Sequence, residues 1–289
     1  MYSIIFILLI ASLTKFSQES SNDLGEILDL TYPVNNITLD WAGDKFTMNI
    51  TSGLAKIDNT SYWYQIDTFW TPTHLGTHLD APCHFGKDKW GVSDIPIERL
   101  YQRPGYLMDI SNKVGSNNNY VVTGDDVSDW IEAIGDLKPG AVILIRTGWS
   151  KHWPNRQRYF GIKNVGGSFN FPGISTDAVK MLIKRGVDLY GIGIEGPSVD
   201  NGPSKDFSTH SLLSEHNIYG LENIGPAIKQ LPKKGFLITS LPIKIDAASG
   251  SPVRIVAHLT NAKLSMYSFE SYVIVISIIT ISIIFYLRS

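Results

Sequence analysis

The sequence contains very little cysteine, since Cys83 is the only one among 289 residues. A single cysteine excludes a disulfide within the chain, so the fold must be held by its hydrophobic core. Clusters of basic residues are also absent, and the formal net charge is only −2. Binding of nucleic acid requires a positively charged surface, which this composition does not provide. We therefore expect no nucleic-acid partner.

Long apolar runs are scarce, and the two that occur lie at the ends of the chain. Residues Ile4–Leu13 have the length of a signal-peptide core and predict a signal peptide over residues 1–22. Residues Tyr272–Leu287 form a run of 16 uncharged residues, which as a helix would extend about 24 Å. With a spacer before them, they predict membrane attachment over residues 263–289, as a short transmembrane helix or a GPI signal. A buried strand is the alternative for either run.

Three N-glycosylation sequons accompany these ends, beginning at Asn36, Asn49 and Asn59. Three such motifs beside a signal-like segment are typical of a chain that passes through the secretory pathway. The sequons and the ends together predict an extracellular or cell-surface glycoprotein that is attached to the membrane by its C terminus.

The composition is typical of a globular protein, with 43% hydrophobic and 18% charged residues. No linker, repeat or low-complexity segment interrupts it, so one domain over residues 24–262 is the simplest organisation. Five apolar runs predict strands: Gly105–Ile110, Ala141–Thr147, Val187–Ile194, Phe236–Ser240 and Val253–Leu259.

Helix signals alternate with these strands. Thr123 and the acidic residues after it precede a helix over Val127–Ile134, and Ser175 begins a helix that continues to Arg185. Strands that are apolar throughout are expected in a sheet covered on both faces. The alternation predicts a single α/β domain with a mixed, largely buried β-sheet flanked by helices.

The most informative segment places three histidines and an aspartate within eleven residues, in a chain with seven histidines. His74, His78 and Asp80 offer two imidazoles and a carboxylate, a set that suits Zn²⁺, Mn²⁺ or Fe²⁺. The glycine, threonines and proline among them disfavour a helix. In an extended chain His78 and Asp80 share a face, and a loop before them could return His74 to the same ion. Cys83 is expected to point elsewhere, as a small buried filler.

A second polar segment follows the strand predicted to end at Ile194. Its Gly-Pro-Ser sequence, at residues 196–198, is typical of a loop at the edge of an α/β active site. Glu195 and Asp200 flank this loop. Each is expected to have a structural role, as a loop cap or as a partner of backbone amides.

The segment from His74 to His84 has the pattern H-x-G-T-H-x-D-x-P-x-H. In this it resembles the cyclase family, which includes the bacterial-type kynurenine formamidases and the isatin hydrolases, and it matches that family's signature in full. Weaker matches lie at Asp29–Thr31, Arg146–Trp149, Gly196–Asp200 and Ser251–Arg254. The resemblance implies a fold of the swivelling β/β/α type and a homo-oligomer, a dimer or larger.

The resemblance also assigns metal ligands by position. His74, His78 and Asp80 would ligate one divalent ion, zinc or manganese. His210 and Glu222 match a later histidine and glutamate of the family, which complete a second ion shared through Asp80. One or two ions per chain are therefore expected.

His84 matches the family's catalytic histidine, which lies beside the ion without binding it. A divalent ion lowers the pKa of bound water from about 15.7 toward 7, so that hydroxide can attack an amide carbonyl. His84 would take the proton of the water and deliver it to the leaving nitrogen. No nucleophilic serine is needed, and Ser198 lacks the sequence context of a serine esterase.

The implied activity is hydrolysis of a small aromatic amide, with N-formylkynurenine as the leading substrate and kynurenine and formate as products. An isatin-type cyclic amide hydrolase remains open, as does a surface-tethered metal-binding protein without activity. Glu195-Gly196 stands where many family members have an Asp-Thr pair, which leaves the substrate undecided. Six large aromatic residues are candidates to stack on an aryl group: Trp41, Trp63, Phe69, Trp70, Trp153 and Phe160.

Overall fold

The computed structural model describes residues 25–260, apart from residues 59, 116, 165–166 and 186–187. Within this part of the chain the strands are β1 Ile27–Asp29, β2 Thr47–Ile57, β3 Thr60–Trp70, β4 His78–Asp80, β5 Arg103–Asp109, β6 Val121–Val122, β7 Ala141–Arg146, β8 Gly173–Ile174, β9 Leu189–Ile194, β10 Tyr219–Glu222, β11 Lys234–Pro242 and β12 Gly250–Leu259. The helices are α1 Ser111–Val114, α2 Gly124–Ile134, α3 Arg156–Tyr159, α4 Thr176–Lys184 and α5 Ser208–Glu215. Short 3₁₀ helices occur at Pro82–His84, Val92–Asp94, Ile97–Arg99, Trp149–His152 and Pro226–Gln230.

Eight strands form the main sheet in the order β1-β12-β11-β5-β7-β9-β10-β4. Strands β5, β7, β9 and β10 run parallel to their neighbours in this series, whereas β4 and β11 are antiparallel to theirs. Strand β4 also pairs with β12, so the sheet closes on itself like a barrel. The predicted α/β domain with a mixed sheet is confirmed, and all five predicted strands are present with ends displaced by a few residues.

Helices α2 and α4 cover the sheet with apolar stripes. The buried side chains of α2 include Val127 and Ile131, and those of α4 include Val179 and Leu182. Helix α2 begins with a capping box, in which the amide of Asp126 donates to Thr123 Oγ1 at 3.2 Å. Such a cap stabilises a protein by about 1 kcal/mol. The cap predicted at Thr123 is therefore present.

Strands β2 and β3 form a separate two-stranded sheet. Every side chain of β3 is exposed, including three of the aromatic residues considered as substrate contacts, Trp63, Phe69 and Trp70. Among the described residues, neither strand pairs with the main sheet. The N-terminal third thus places a long hairpin outside the core.

The predicted membrane attachment is contradicted. Among the residues described, no helix is long and apolar enough to cross a membrane. The segments that motivated the prediction, residues 1–22 and 263–289, lie outside the described residues. The run of 16 uncharged residues at Tyr272–Leu287 is also shorter than the roughly 20 that a spanning helix needs.

The predicted location at the cell surface through the secretory pathway and the GPI anchor are withdrawn with it. The segment predicted as a signal peptide, residues 1–22, lies outside the described residues. The third sequon also begins at a residue outside the described part, Asn59. Residues Leu28–Ala257 form one compact unit. The domain boundaries at 24 and 262 and the homo-oligomer stay predictions.

Candidate metal centre

Strand β4 presents His78 and Asp80 on the same face of the sheet. It lies between β10 and β12, where His78 is opposite Glu222 and Asp80 is opposite Gly220. The two-residue period of a strand turns Leu79 to the other face, where it is fully buried. The expectation that this segment is extended is therefore met.

His74 reaches the same place from the loop that precedes β4. Gly76 adopts a φ of +58°, and a Cβ atom built there would lie 2.7 Å from Thr38 Cγ2, so this tight turn requires glycine. The turn brings His74 Nδ1 to 2.6 Å from Asp80 Oδ1. His78 Nε2 lies 3.2 Å from the same oxygen. His74, His78 and Asp80 form a group that could hold a metal ion, called here the first ligand group.

The second ligand group contains Asp80, His210 and Glu222. His210 comes from α5 and Glu222 from the end of β10. His210 Nε2 lies 3.4 Å from Asp80 Oδ2 and 3.1 Å from Glu222 Oε1. His78 Nε2 is also 3.5 Å from Glu222 Oε2, so the two groups are contiguous and share Asp80. The structure thus brings together all five predicted ligand residues.

The electrostatics of these groups fit a bound cation. Asp80 Oδ2 is buried and has no hydrogen-bond partner. Burial opposes ionisation of Asp80, but the charge of His78 and the nearby imidazoles of His210 and His74 hold its pKa well below the ordinary value. Burial and the charge of Asp80 raise the pKa of Glu222. Two close buried carboxylates with imidazole neighbours are a donor set that suits a divalent ion.

His84 lies beside the ligand groups and belongs to neither of them. Its ring stacks on that of His74, with centroids 4.0 Å apart and planes 26° apart. Burial, opposed in part by the charge of Asp80, lowers the pKa of His84 to about 4. The ring is therefore neutral at pH 7 and able to accept a proton. Cys83, the neighbouring residue, points away, with its Sγ 3.6 Å from the carbonyl oxygen of Ala248.

A cavity of about 320 Å³ opens onto His74, His78, His84, His210 and Glu222. Its walls include four large aromatic residues: Trp41, Phe85, Phe160 and Phe207. Trp41 and Phe160 were predicted as candidates to stack on substrate, and Phe85 and Phe207 were not. Trp153, another candidate, stacks on Tyr32 with centroids 4.2 Å apart and does not line the cavity.

Several residues that orient the ligands were not recognised from the sequence. Asp200 was expected to have a structural role, and its Oδ2 lies 2.6 Å from His210 Nδ1. Ser249 Oγ lies 2.9 Å from His74 Nε2. Nothing local to Ser249 indicates this contact, since it follows His74 by 175 positions. Glu195 binds the backbone amide of Thr147 at 2.9 Å, in the structural role predicted for it.

Comparison with known proteins identifies the family. The Cyclase family matches residues 28–201, more than half of the chain. The chain belongs to the cyclase family. An isatin hydrolase of Roseibium aggregatum is 29% identical over 195 residues, which cover 65% of this chain and 73% of that protein. A kynurenine formamidase of Bacillus cytotoxicus is 28% identical over 237 residues, covering 79% of this chain and 95% of that protein.

Solved structures show the same fold. Isatin hydrolase A from Labrenzia aggregata, bound to benzyl benzoate, superposes with a TM-score of 0.70 at 26% identity, covering 86% of this chain and all of that one. The relatives are hydrolases of amide C–N bonds, and this chain is a metal-dependent hydrolase of the same family, with a group of ligands that could hold the metal.

Proposed function

We propose that this cyclase-family enzyme hydrolyses a small aromatic amide, with N-formylkynurenine as the leading substrate and kynurenine and formate as products. The observation that carries the proposal is the position of His84, which faces an aromatic-walled cavity and stacks on His74, a member of the first ligand group. An acid–base residue placed between a ligand group and an aryl-sized cavity is suited to amide hydrolysis.

The ligand groups would hold one or two divalent ions, zinc or manganese. His74, His78 and Asp80 would hold the first, and His210 and Glu222 would complete the second with Asp80. A bound divalent ion supplies polarisation of a carbonyl oxygen and lowers the pKa of water. Mixed imidazole and carboxylate ligands suit zinc and manganese better than magnesium or calcium.

His84 would act as the proton carrier of the reaction. Water attacks the carbonyl carbon, a C–O bond forms, and the C–N bond breaks. His84, neutral at pH 7, accepts the proton of the attacking water and donates it to the departing nitrogen, so the ring ends each cycle neutral. The leaving group departs as an amine.

The cavity walls would bind the aryl part of the substrate. Trp41 and Phe207 lie with ring centroids 6.0 Å apart, and Trp41 also makes an edge contact with Phe160 at 5.8 Å. The cavity volume of about 320 Å³ is within the range of small-molecule sites. Aromatic walls of this kind favour a planar ring over an aliphatic chain.

The second candidate is hydrolysis of a cyclic amide such as isatin. It is favoured by the similarity to the isatin hydrolase of Roseibium aggregatum. The two reactions differ in the fate of the nitrogen, because ring opening leaves the amine attached to the acid. The same ligand groups and the same histidine would serve both.

A turnover screen distinguishes these candidates. Protein loaded with zinc or with manganese is assayed with N-formylkynurenine, isatin and an aryl ester, beside protein stripped by a chelator. We expect the highest kcat/KM for N-formylkynurenine, and loss of activity on stripping that is restored by the metal. Faster turnover of isatin would favour the second candidate. Absence of any turnover would favour a metal-binding protein without activity.

A further inference from the structure

The ring of His78 is held from behind by a backbone carbonyl. Its Nδ1 lies 2.9 Å from the oxygen of Gly76, while its Nε2 faces Asp80 and Glu222. A carbonyl oxygen only accepts hydrogen bonds, so the proton of a neutral ring belongs on Nδ1. Nε2 is then the nitrogen that would bind an ion held between the ring and the two carboxylates.

The Gly76 carbonyl is in turn held by Asn223. Asn223 Nδ2 donates to this oxygen at 2.7 Å and lies 3.4 Å from His78 Nδ1. On its other side the amide oxygen lies 2.9 Å from the hydroxyl of Tyr159, which shares its single proton between this oxygen and the carbonyl oxygen of Glu195 at 3.0 Å. The Gly76 carbonyl can only accept a hydrogen bond, so the amide nitrogen of Asn223 must face it and the amide oxygen must face Tyr159. Burial raises the pKa of Tyr159 well above its ordinary value, so its hydroxyl keeps its proton.

The backbone of Asn223 is fixed as firmly as its side chain. Its φ is +55°, a left-handed conformation that asparagine tolerates better than most residues. Its amide donates to the oxygen of Gly196 at 2.9 Å, and its carbonyl accepts from Thr77 Oγ1 at 2.7 Å. It follows Glu222 directly. Glu222 is therefore a candidate ligand, and the next residue, Asn223, supports His78, a candidate ligand on strand β4.

We propose that Asn223, supported by Tyr159, is a positioning residue of the metal centre. Its amide holds the Gly76 carbonyl where it selects the Nδ1-protonated form of His78 and fixes the ring plane. The inference rests on the proposed function in one respect, that His78 ligates a metal ion. It concerns orientation of a ligand and holds for either candidate substrate. Residues that orient ligands in this way typically change metal affinity by about 10–100-fold when they are removed.

The decisive substitution is Asn223→Gly, because glycine tolerates the left-handed backbone and removes only the amide. Tyr159→Phe, which removes one hydroxyl, is the second variant and remains informative if the first does not fold. Asn217→Gly is the matched control, since Asn217 also has a left-handed φ, of +52°, and its backbone amide donates to Ser214 on helix α5. Zinc and manganese are titrated into the stripped full-length proteins, and the thermal midpoint of each stripped protein is recorded.

We expect Asn223→Gly to weaken metal binding by about 10–100-fold and Tyr159→Phe to weaken it less, with Asn217→Gly unchanged. NMR of isotope-labelled histidine on the zinc-loaded proteins should show His78 with its proton on Nδ1 in the wild type and a mixture of both forms in Asn223→Gly. Wild-type affinity and an unchanged tautomer in Asn223→Gly would overturn the inference. A wild type that binds neither metal would overturn the metal centre itself. Measuring the affinity of the wild type therefore separates failure of the metal centre from failure of the role proposed for Asn223.

Discussion

The two ligand groups share Asp80 but differ in their surroundings. In the first group the side chain of His74 is 22% exposed, and it comes from a loop that lines the cavity. In the second group the side chain of His210 is 8% exposed, and its Nδ1 lies 2.6 Å from Asp200 Oδ2. Glu222 is similarly held, because its Oε1 accepts from the backbone amide of Val199 at 2.9 Å. We call the first group the outer group, because His74 is its exposed member, and the second the inner group, because His210 and Glu222 are held by buried partners. The cavity opens onto members of both groups.

This difference has an energetic consequence. A partly exposed imidazole can be solvated when no ion is bound, whereas buried carboxylates depend on their neighbours. The inner group should therefore contribute to the stability of the protein even without metal, and the outer group mainly to binding and chemistry. Substitutions in each group can test that division.

The largest effect is expected for Asp80→Ala, which removes the residue that both groups share. Metal content should fall to near zero for both ions, and hydrolysis should be lost with it, by more than about 10⁴-fold. Metal per chain is measured by elemental analysis after gel filtration. The control is Asp126→Ala, another buried carboxylate, which should cost about 1 kcal/mol of unfolding free energy and leave the metal in place. Full metal content in Asp80→Ala would contradict the premise that Asp80 is a ligand shared by the two groups.

The next effect concerns His84, which is close to the outer group but outside it. His84→Ala should retain the metal and lose about two to four orders of magnitude in kcat, because the other imidazoles that line the cavity, among the described residues, belong to the ligand groups. Metal content and kcat are measured on one preparation. Loss of the metal together with the rate would make His84 a ligand. Retention of both would assign proton transfer to another group.

A direct comparison of the groups uses His74→Ala and His210→Ala in the stripped protein. His210→Ala leaves Asp200 and Glu222 without the imidazole they share, so the unfolding free energy should fall by about 3–5 kcal/mol. His74→Ala should cost less than about 1 kcal/mol, because its side chain is partly solvated. Both should lose metal affinity. Chemical denaturation in a chelator gives the two values, and equal losses would contradict the division into an inner and an outer group.

The smallest effect is expected at the aromatic wall of the cavity. Trp41→Ala removes an aryl contact worth about 1–2 kcal/mol, so KM should rise roughly tenfold with little change in kcat. Trp63→Ala is the control, since this tryptophan is 65% exposed on the β2–β3 hairpin and does not line the cavity. Michaelis–Menten constants for N-formylkynurenine and isatin test both. An equal rise in KM for the two variants would place the aryl site elsewhere.

Much of the first ligand group could be predicted from the sequence because its members lie close together in the chain. His74 and Asp80 lie six positions apart, and the period of a strand already places His78 and Asp80 on one face. His210 and Glu222 were expected only from the family resemblance, since no local pattern relates them to β4. The membrane prediction was wrong, and it depended on the hydropathy of the two ends of the chain. These ends, residues 1–22 and 263–289, lie outside the described residues.

By itself the sequence determined the composition of the first ligand group, the buried strands and the capped helices, since each follows from local spacing and local hydrogen bonds. Only the tertiary structure decided which residues from distant parts of the chain contact that group. Pairing of β4 with β10 places His78 opposite Glu222, and pairing with β12 places Gly250 opposite Asp80, next to Ser249. Such contacts join residues more than 100 positions apart. They depend on sheet register and on closure of the barrel. These are properties of the whole chain, and no local sequence pattern predicts them.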